Sequence, residues 1–465
     1  MGTLTGKRVM IAGTGSGCGK TTAVCGILYG LKKKFGLSVA SWKCGPDYID
    51  PMFHKRTLGI AGGNLDLFFS GAGQVCELLA VQAANADISV IEGAMGYYDG
   101  IGMTQEAGCH ALAQVTETPV ILVVNPKGMG ASLCALLHGF LHYRKPNAIR
   151  GIIFNEITAK RYESLKPLVE AMGLKAVGYL PRQREFVLES RHLGLVTADE
   201  IRDYQQKIRI FYTLIDNTID WELFMEIASG APEVSYRESS RPAGQRTVRI
   251  GIARDEAFCF LYEDNLRYLR ERGCELVFFS PLRDRHLPAQ TDGLILCGGY
   301  PELYAHTLSE NAEMRQSVKA AVQAGMPCIA ECGGFLYLQN SLTDPQGATY
   351  KMAGALAGGS AKGRSLRHFG YIAMSLRSGN LFGRSRMQLR AHEFHYYECV
   401  PDDMTYQAFA VQKASGEAEW MTGWAGDTLY AGFPHIYFYG NEDFAEAFLE
   451  KAQAFRRIQY QNQCS

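Results

Sequence analysis

The chain has little that would mark a secreted, membrane-bound or nucleic-acid-binding protein. Lys plus Arg equals Asp plus Glu, 47 of each among 465 residues, and no long block of like charge occurs. A general affinity for nucleic acid or for an anionic membrane is therefore not expected. No apolar run approaches the length of a membrane span, and the start, MGTLTGKRVM, lacks the apolar region of a signal peptide.

The 13 cysteines contain no Cys-x-x-Cys pair, and several of them lie within apolar runs. A zinc ribbon and a disulfide framework are both disfavoured, because scattered cysteines that pack as small hydrophobic side chains are typical of a reducing cytosol. We therefore expect a cytoplasmic protein without a nucleic-acid or membrane partner. The sequence leaves a homo-oligomer open.

What the sequence does have is a regular alternation of apolar runs with helical stretches, as parallel sheets buried on both faces require. In the first half the apolar runs are KRVMIAG, LSVASWKCG, DISVIEG, TPVILVVN, IRGIIFN and KAVGYLP. A second series begins at TVRIGIA and reaches PCIAEC, and beyond residue 345 no strand order can be read. The polar segment EVSYRESSRPAGQRTV between them is typical of a linker. The pattern predicts an α/β protein with two doubly wound domains, 1–234 and 247–465, joined by a linker at 235–246.

Residues 13–22 read GTGSGCGKTT and lie between an apolar run and a helical stretch. Five residues separate Gly13 from Gly19, one more than in the usual phosphate-binding loop. The chemistry is nevertheless complete, because glycines let backbone N–H groups approach a phosphate, a lysine supplies charge, a hydroxyl can bind Mg²⁺ and a helix N-terminus lies behind them. The alternative is a glycine-rich turn without a ligand. We predict that a nucleotide is bound by Gly13, Gly15, Gly17, Gly19, Lys20, Thr21 and Thr22.

Carboxylates for a metal ion follow two other predicted strands. Glu92 closes the run DISVIE, at the carboxyl end of the predicted parallel sheet, where a Mg²⁺-binding acid usually lies. Asp47 and Asp50 lie in KCGPDYIDP, between two prolines. Such a rigid turn also suits an Asp that only accepts hydrogen bonds from backbone N–H groups. We predict Thr21, Asp47 and Glu92 as metal ligands, and both interpretations of the aspartates stay open.

In the second domain, MPCIAECGGFLYLQN places Cys332 between a predicted strand and a helix. A nucleophile on such a turn is exposed, and the helix N-terminus should favour its thiolate. The next N–H, with a second N–H from Gly298 or Gly299 in LCGGYPE, can stabilise an oxyanion. We predict that Cys332 is a nucleophile for acyl transfer, and the alternative is one more buried cysteine.

A cysteine nucleophile needs a histidine that is near it in space. The two histidines of AHEFHYYE are three residues apart and do not fit the helix of a zinc protease. His435 follows the apolar, strand-like run LYAGFP and is slightly preferred as the general base. The candidates in the carboxyl-terminal part are His368, His392, His395 and His435.

A phosphate loop and a thioester-type cysteine in one chain point to two half-reactions. ATP would activate an oxygen acid, and Cys332 would release a nucleophile from an amide. Their sum is ATP-dependent amidation with glutamine as the nitrogen donor, whereas hydrolysis alone would not need both sites.

A set of motifs that spans nearly the whole chain carries a more specific resemblance: GTGSGCGKTT, KCGPDYIDPMFH, NLD at 64–66, EGAMGYYDG, RHLGL at 191–195, CGGYPE, ECGGFLYL, AHEFHY and PHIYF. In this order they resemble the cobyrinate a,c-diamide synthase family of cobalamin biosynthesis. The resemblance implies an N-terminal, dethiobiotin-synthetase-like P-loop domain and a C-terminal class I glutamine amidotransferase-like domain. It also implies that two carboxylates, a and c, of a corrin polycarboxylate are amidated with ATP, Mg²⁺ and glutamine.

The same resemblance implies roles for single residues. Lys20 and Thr21 would contact the phosphates and the metal, Cys332 and His435 would form the glutaminase pair, and metal binding and activation would fall to Asp47, Asp50 and Glu92. Class I amidotransferases usually carry a Glu two residues after the His, and here Tyr437 stands in that place. The resemblance therefore implies a catalytic pair of Cys and His without the usual third residue. Cys18 also replaces a small polar residue in the loop, which acts through its backbone.

Other functions stay open at this point. A relative that amidates the same two positions of Ni-sirohydrochlorin, on the way to coenzyme F430, would leave no mark in these motifs. A P-loop ATPase switch would have a lysine where this chain has Gly15, and it would leave Cys332 unexplained. Cobyric acid synthase is expected to lack GPDYIDP, and dethiobiotin-like carboxylation would need no glutaminase domain.

Overall fold

The structure, a computed structural model, describes residues 1–182, 198–238, 247–400, 406–416 and 418–464. It divides into two units, Met1–Ser240 and Arg241–Ser465. The motif RHLGL and residues 239–246 of the predicted linker lie outside the described residues. Within the described ranges, every helix is too short or too polar to cross a lipid bilayer.

The first unit is built on a seven-stranded parallel sheet. Its central strands are mostly apolar and buried along nearly their whole length, as in a sheet covered by helices on both faces, and Val120–Val124 is buried at every position. The predicted alternation is confirmed, and the sequence does not predict Gly62–Leu65 because GGNL contains no apolar run. In sheet order the strands are Gly62–Leu65, Val39–Cys44, Ile88–Glu92, Lys7–Gly13, Val120–Val124, Ile149–Asn155 and Lys175–Leu180.

Helices and one small sheet complete this unit. Gly2–Leu4 pairs antiparallel with Val234–Tyr236, so the predicted linker, 235–246, begins inside a strand. The helices are Lys20–Lys34, Ile49–Phe53, Ala72–Ala83, Cys109–Val115, Ser132–His142, Ala159–Glu170, Ala198–Ile215 and Trp221–Ser229, with a π-helical turn at His54–Leu58.

The second unit contains a six-stranded sheet whose first five strands are parallel. The predicted alternation is confirmed here too. In sheet order the strands are Glu275–Phe279, Arg249–Ala253, Gly293–Leu296, Cys328–Glu331, Leu429–Gly432 and Trp424–Ala425. The helices are Glu263–Glu271, Ala305–Glu310, Ala312–Gln323, Gly333–Leu338 and Glu442–Cys464, with 3-10 turns at Pro301–Tyr304 and Phe438–Gly440.

Two further sheets in this unit position the site. Gly298–Gly299 pairs with Phe258–Phe260 beside the main sheet. The long strands Gly359–Leu376 and Gln388–Val400 form the centre of a mostly antiparallel sheet, and His435–Ile436 pairs with the second of them. The other strands of that sheet are Ser341–Thr343, Thr349–Lys351, Phe409–Lys413 and Glu419–Thr422.

Candidate active site

The glycine loop follows the central strand of the first sheet, and close packing requires glycine at both of its ends. A Cβ on Gly13 would meet the Cys18 sulfur at 2.3 Å, and a Cβ on Gly19 would meet Asn155 Nδ2 at 2.2 Å. Gly19 also has a φ of +97°, which favours glycine. Asn155 Nδ2 donates to the Cys18 carbonyl at 2.9 Å and so holds the loop in shape. Asn155 is absent from the residues predicted from the sequence.

The middle of the loop faces open space, as a phosphate-binding surface requires. A Cβ on Gly15 or on Gly17 would meet none of the described atoms within 4 Å. Lys20 Nζ lies over the loop and donates to the Gly15 carbonyl at 2.9 Å and to the Met95 carbonyl at 2.5 Å. The first helix begins at Lys20, so its ammonium and the helix N-terminus lie on the same side of the loop.

Four side chains form a buried polar cluster beside the loop. Thr21 Oγ1 donates to Glu92 Oε1 at 2.6 Å. Lys43 Nζ lies 2.5 Å from Asp50 Oδ2 and 3.1 Å from Glu92 Oε1. Glu92 is fully buried, and Lys43 and Asp50 are nearly so. Thr22, in the same helical turn as Thr21, completes the set of predicted loop residues.

Sheet register explains why this cluster forms. Lys43 and Glu92 are opposite each other on two neighbouring parallel strands, and Glu92 is also opposite Ile11 on the strand that leads into the glycine loop. Since the carboxyl ends of parallel strands meet at one edge, the loop and both charged side chains come together there. Lys43 is missing from the sequence predictions. Its sequence signal is a lysine near the end of a buried strand.

Burial and mutual contacts determine the protonation of the cluster. Burial, followed by repulsion from Asp50, raises the pKa of Glu92 to about 7. Burial acts in the same direction on Asp50, but the Lys43 ammonium outweighs it and the pKa of Asp50 lies below its ordinary value. Burial alone would lower the pKa of Lys43, and the two carboxylates instead raise it well above its ordinary value. Lys43 and Asp50 are therefore a charged pair.

Asp47 lies in the turn that precedes the short helix beginning at Ile49. One of its carboxylate oxygens accepts a hydrogen bond from the Ile49 N–H at 2.8 Å, which is the backbone-binding interpretation left open above. Burial and then repulsion from Asp50 raise the pKa of Asp47 to about 6. A carboxylate has about four lone-pair positions, so this bond does not exclude metal binding. The role of Asp47 as a metal ligand stays a prediction.

The cluster fits a Mg²⁺ ion whose coordination is completed by a nucleotide. In the described ranges, no group of three or more His, Cys, Asp or Glu side chains is placed to hold a metal ion alone. Mg²⁺ usually takes only one or two carboxylates together with phosphate oxygens and water. Glu92 Oε2 is buried without a hydrogen-bond partner among the described residues, an unfavourable state that a cation would relieve. Thr21 and Glu92 could therefore hold the ion.

In the second unit, Cys332 forms the turn between a strand and a helix. Its φ of +46° and ψ of −106° are strained for a residue other than glycine, as at a nucleophile elbow. A Cβ on Gly333 would meet the Gly299 nitrogen at 3.0 Å. The Gly299 N–H thus lies against the elbow, and Gly299 is a better candidate than Gly298 for the second oxyanion donor.

The structure corrects the expectation that Cys332 is exposed and that its thiolate is favoured. The residue is only 9% exposed, and the helix that follows it has six residues. Burial, followed by repulsion from Glu302, raises the pKa of the Cys332 thiol above its ordinary value, and a hydrogen bond from the Gly333 N–H does not outweigh them. For Cys332 to act as a nucleophile, a base would have to remove the thiol proton.

Among the four candidate histidines, His435 lies next to the same backbone position, Gly298, as Cys332 does. A Cβ on Gly298 would meet His435 Cε1 at 2.6 Å and Cys332 Cβ at 3.4 Å. The structure gives the other candidates ring contacts of their own. His395 stacks on Phe433 with ring centroids 3.7 Å apart, His368 stacks on Trp420 at 4.1 Å, and His392 lies against Phe369 and Tyr371.

A carboxylate does face His435, although not from the position usual in class I amidotransferases. Glu331 Oε2 lies 3.6 Å from His435 Nδ1. Tyr437, in the usual position, packs edge-on against Tyr262 with ring centroids 5.2 Å apart. Glu331 directly precedes Cys332, and that adjacency is the only sign of it in the sequence.

Comparison with known proteins assigns a domain type to each part of the chain. Residues 9–196 match the family model of the CobQ/CobB/MinD/ParA nucleotide binding domain. Residues 249–443 match that of the CobB/CobQ-like glutamine amidotransferase domain. The predicted pair of domains is confirmed. The fold and the two sites define a glutamine amidotransferase that carries its own nucleotide-binding domain.

Relatives over the full length narrow this class. The cobyrinate a,c-diamide synthase of Caldanaerobacter subterraneus is 37% identical over 450 residues, which are 96% of this chain and 99% of that one. Those of Salmonella typhimurium and Priestia megaterium are 36% and 34% identical, over 96% and 98% of this chain and 98% and 99% of their own. The chain belongs to the cobyrinate a,c-diamide synthase family, as its motifs predict.

Proposed function

We propose that this chain amidates the a and c side-chain carboxylates of cobyrinate, with ATP as the activating agent and glutamine as the ammonia donor. The names of the full-length relatives supply the substrate and its positions. One observation carries the chemistry: the Thr21 hydroxyl and the Lys43 ammonium both contact Glu92 Oε1 beside the glycine loop. This arrangement concentrates cations and a metal-binding oxygen where a phosphate and an acceptor carboxylate have to meet.

In the first half-reaction, a carboxylate oxygen of the corrin attacks the γ-phosphorus of ATP. The bond from that phosphorus to the bridging oxygen breaks, so ADP leaves and an acyl phosphate forms. The N–H groups of the loop and the Lys20 ammonium neutralise the phosphates. Lys43 is a buried cation that can orient the incoming carboxylate while Asp50 keeps it charged.

Thr21 and Glu92 are the proposed ligands of Mg²⁺, together with Asp47. A bound Mg²⁺ would supply Lewis-acid stabilisation of the phosphate charge that develops during transfer. Asp50 serves activation through its ion pair with Lys43. The buried Glu92 Oε2 has no hydrogen bond among the described residues, although His54 Nε2 lies 3.7 Å away, and this supports the assignment.

In the second half-reaction, Cys332 Sγ attacks the side-chain carbonyl carbon of glutamine while His435 takes the thiol proton. The oxyanion faces the N–H groups of Gly333 and Gly299. The imidazolium returns the proton to the leaving nitrogen, ammonia departs, and water hydrolyses the thioester to glutamate. Ammonia then attacks the acyl phosphate, and phosphate leaves as the amide forms.

The remaining proposals concern partners, compartment and domain limits. Small molecules, namely the corrin, glutamine and ATP, are the proposed partners. The twelve cysteines described with side chains are free thiols, which supports a reducing compartment such as the cytoplasm. The limits 1–234, 235–246 and 247–465 stay proposals, and the matched family models begin at residues 9 and 249.

The test offers the purified protein ATP, Mg²⁺ and glutamine with cobyrinic acid or with Ni-sirohydrochlorin, in separate reactions, and counts added amides by mass. We expect two amides on cobyrinic acid. Lys20→Ala should abolish the addition of amides, whereas Lys33→Ala, on the exposed face of the same helix, should not. Amides on Ni-sirohydrochlorin alone would overturn the corrin assignment. Full activity of Lys20→Ala would show that the glycine loop is not the nucleotide site.

A further inference from the structure

We infer that Glu331, the residue before the nucleophile, is a positioning residue that orients His435 and stabilises its protonated form. The inference rests on the proposed glutaminase roles of Cys332 and His435. It completes what the sequence presents as a Cys-His dyad, with a carboxylate that comes from the strand carrying the nucleophile.

The geometry around Glu331 fixes both of its carboxylate oxygens. Oε1 accepts a hydrogen bond from the Ile436 N–H at 3.0 Å, and this anchors the carboxylate to the backbone that carries His435. Oε2 then lies 3.6 Å from His435 Nδ1. A carboxylate beside Nδ1 favours a proton on that nitrogen and leaves Nε2 as the base, which is the division of labour in other nucleophile–histidine–acid sites.

Secondary structure holds both residues of this contact in place. Glu331 ends its strand opposite Gly432 on the neighbouring parallel strand. The chain continues from Gly432 through a short turn to His435, which pairs with His392 on a different sheet. Because both ends of the turn are held by strands, the distance between Glu331 and His435 does not depend on a mobile loop.

Both side chains of this contact are buried, so the interaction between their charges is stronger than it would be at the surface. Glu331 is 6% exposed and His435 is 1% exposed. Among the residues that the structure describes, the Glu331 carboxylate has two partners, the Ile436 N–H and the His435 ring. A buried carboxylate without a cation is unfavourable. The imidazolium that forms when His435 takes the thiol proton would be that cation.

Tyr437 cannot take over this function, because its side chain is engaged elsewhere. It is fully buried, packs against Tyr262, and its hydroxyl hydrogen-bonds to Asp264. Asp264 in turn pairs with Arg267 at 2.6 Å. The position that usually supplies the acid thus belongs to a packing network, while Glu331 faces the histidine.

The test compares Glu331→Gln with wild type in glutamine-dependent and ammonia-dependent amidation. Gln keeps an oxygen for the Ile436 N–H and removes the charge. We expect the glutamine-dependent kcat to fall about 10- to 100-fold, the KM for glutamine to change less than about threefold, and ammonia-dependent turnover to persist. Glu331→Asp, which keeps the charge, should recover part of the loss.

The pH profile supplies a readout that lost packing would not produce. Because the Glu331 charge would stabilise the imidazolium that forms during catalysis, removing it should displace the acid limb of kcat/KM for glutamine to lower pH, whereas lost packing alone would lower the whole profile without displacing it. The other ionisable groups near the site are His392 beside His435, Cys297 and Tyr430 beside Glu331, and Glu302 and Glu393 near Cys332. They are unchanged in the variant, so the shift reports on Glu331.

Alkylation of Cys332 by iodoacetamide, followed by peptide mass at several pH values, separates this inference from the proposed function. In Glu331→Gln the thiol should become reactive at higher pH than in wild type. Such a shift in a protein that does not hydrolyse glutamine would refute the function and leave the positioning role intact. Wild-type alkylation and turnover in Glu331→Gln would overturn the inference.

Tyr437→Phe is the matched control, and we expect its glutamine-dependent kcat to stay within about twofold of wild type. If Tyr437→Phe lowered kcat as much as Glu331→Gln, Tyr437 rather than Glu331 would be the residue that supports His435. If Glu331→Gln does not fold, as judged by thermal unfolding, Glu331→Ala, which also removes the carboxylate, decides the matter. An unchanged kcat and pH profile in that variant would contradict the positioning role.

Discussion

At the scale of single residues, Lys43 has the largest consequence for the first site. It is a buried ammonium between two buried carboxylates, 2.5 Å from Asp50 and 3.1 Å from Glu92. Charges taken out of water are tolerated only when they are paired and hydrogen-bonded, and removing one member leaves the others uncompensated. Lys43 therefore contributes to stability as well as to the proposed orientation of the acceptor carboxylate.

Replacing Lys43 with Met tests both contributions, because Met keeps most of the volume and removes the charge. We expect the free energy of unfolding to fall by about 3–5 kcal/mol, since Asp50 and Glu92 remain buried without their cation. Millimolar Mg²⁺ should stabilise the variant more than it stabilises wild type, because the two carboxylates then no longer have the Lys43 ammonium beside them. Urea unfolding with and without Mg²⁺ measures both effects.

Lys34→Met, at the end of the helix Lys20–Lys34, is a matched control. Lys34 pairs with Asp216 at 2.7 Å, but both side chains are partly exposed. An exposed pair contributes about 0–1 kcal/mol, so this variant should lose no more than about 1 kcal/mol. Equal losses in the two variants would show that the Lys43 cluster has no special energetic role.

At the scale of elements, the hairpin of Gly359–Leu376 and Gln388–Val400 holds a partly buried histidine, His392, in surroundings that disfavour its protonated form. His392 lies against the rings of Phe369 and Tyr371, and its Nδ1 is buried without a hydrogen-bond partner among the described residues. Burial, and then the neighbouring His435, lower the pKa of His392 to about 3.

This pKa predicts a loss of stability in acid. An unfolded His takes up a proton near pH 6.5, whereas folded His392 stays neutral down to about pH 3. The unfolded state therefore binds more protons as the pH falls from 6.5 towards 3, and stability declines by about 1.4 kcal/mol per pH unit. Between pH 7.5 and pH 5, wild type should lose about 2 kcal/mol more than His392→Gln in urea unfolding. Parallel losses in both proteins would refute the assignment.

The elements also show which parts of the fold are readable from the sequence. The central strands of the two main sheets are predictable because burial on both faces makes them continuous apolar runs, whereas Gly62–Leu65 has no such run. Gly359–Leu376 is not predictable, because its exposed middle carries polar residues and its register shifts between Lys362 and Gly370. Those shifts break the alternation by which a half-buried strand is recognised.

The residues of the two candidate sites also fall into those that the sequence predicts and those that it does not. The glycine loop, Lys20, Thr21 and Glu92 follow from local patterns, namely a loop before a helix and an acid at a strand end. The Glu331–His435 and Lys43–Glu92 contacts join residues far apart in sequence, and they depend on which strands are neighbours and in what register. A single sequence holds no direct signal for such register, so these pairs come from the structure alone.

At the scale of the whole molecule, the residues proposed for the two half-reactions belong to different units of one chain. The loop, Lys43 and Glu92 lie in Met1–Ser240, and Cys332 and His435 lie in Arg241–Ser465. If ammonia links the two sites, free ammonia should replace glutamine whenever the second site alone is disabled. This separability distinguishes a two-site amidotransferase from an enzyme in which Cys332 acts on the corrin itself.

Cys332→Ser tests the separability with the least structural change, because serine is similar in size and keeps a hydrogen-bonding group at the elbow. We expect glutamine-dependent amidation to fall at least about 10³-fold, since the serine hydroxyl is a far weaker nucleophile without a matched base. Ammonia-dependent amidation should stay within about threefold of wild type, as measured by mass in the same preparation. Cys328→Ser, a buried cysteine on the strand leading to the elbow, should retain both activities. Loss of both activities in Cys332→Ser, with an unchanged melting temperature, would mean that the cysteine serves the corrin reaction directly, and the two-site scheme would be wrong.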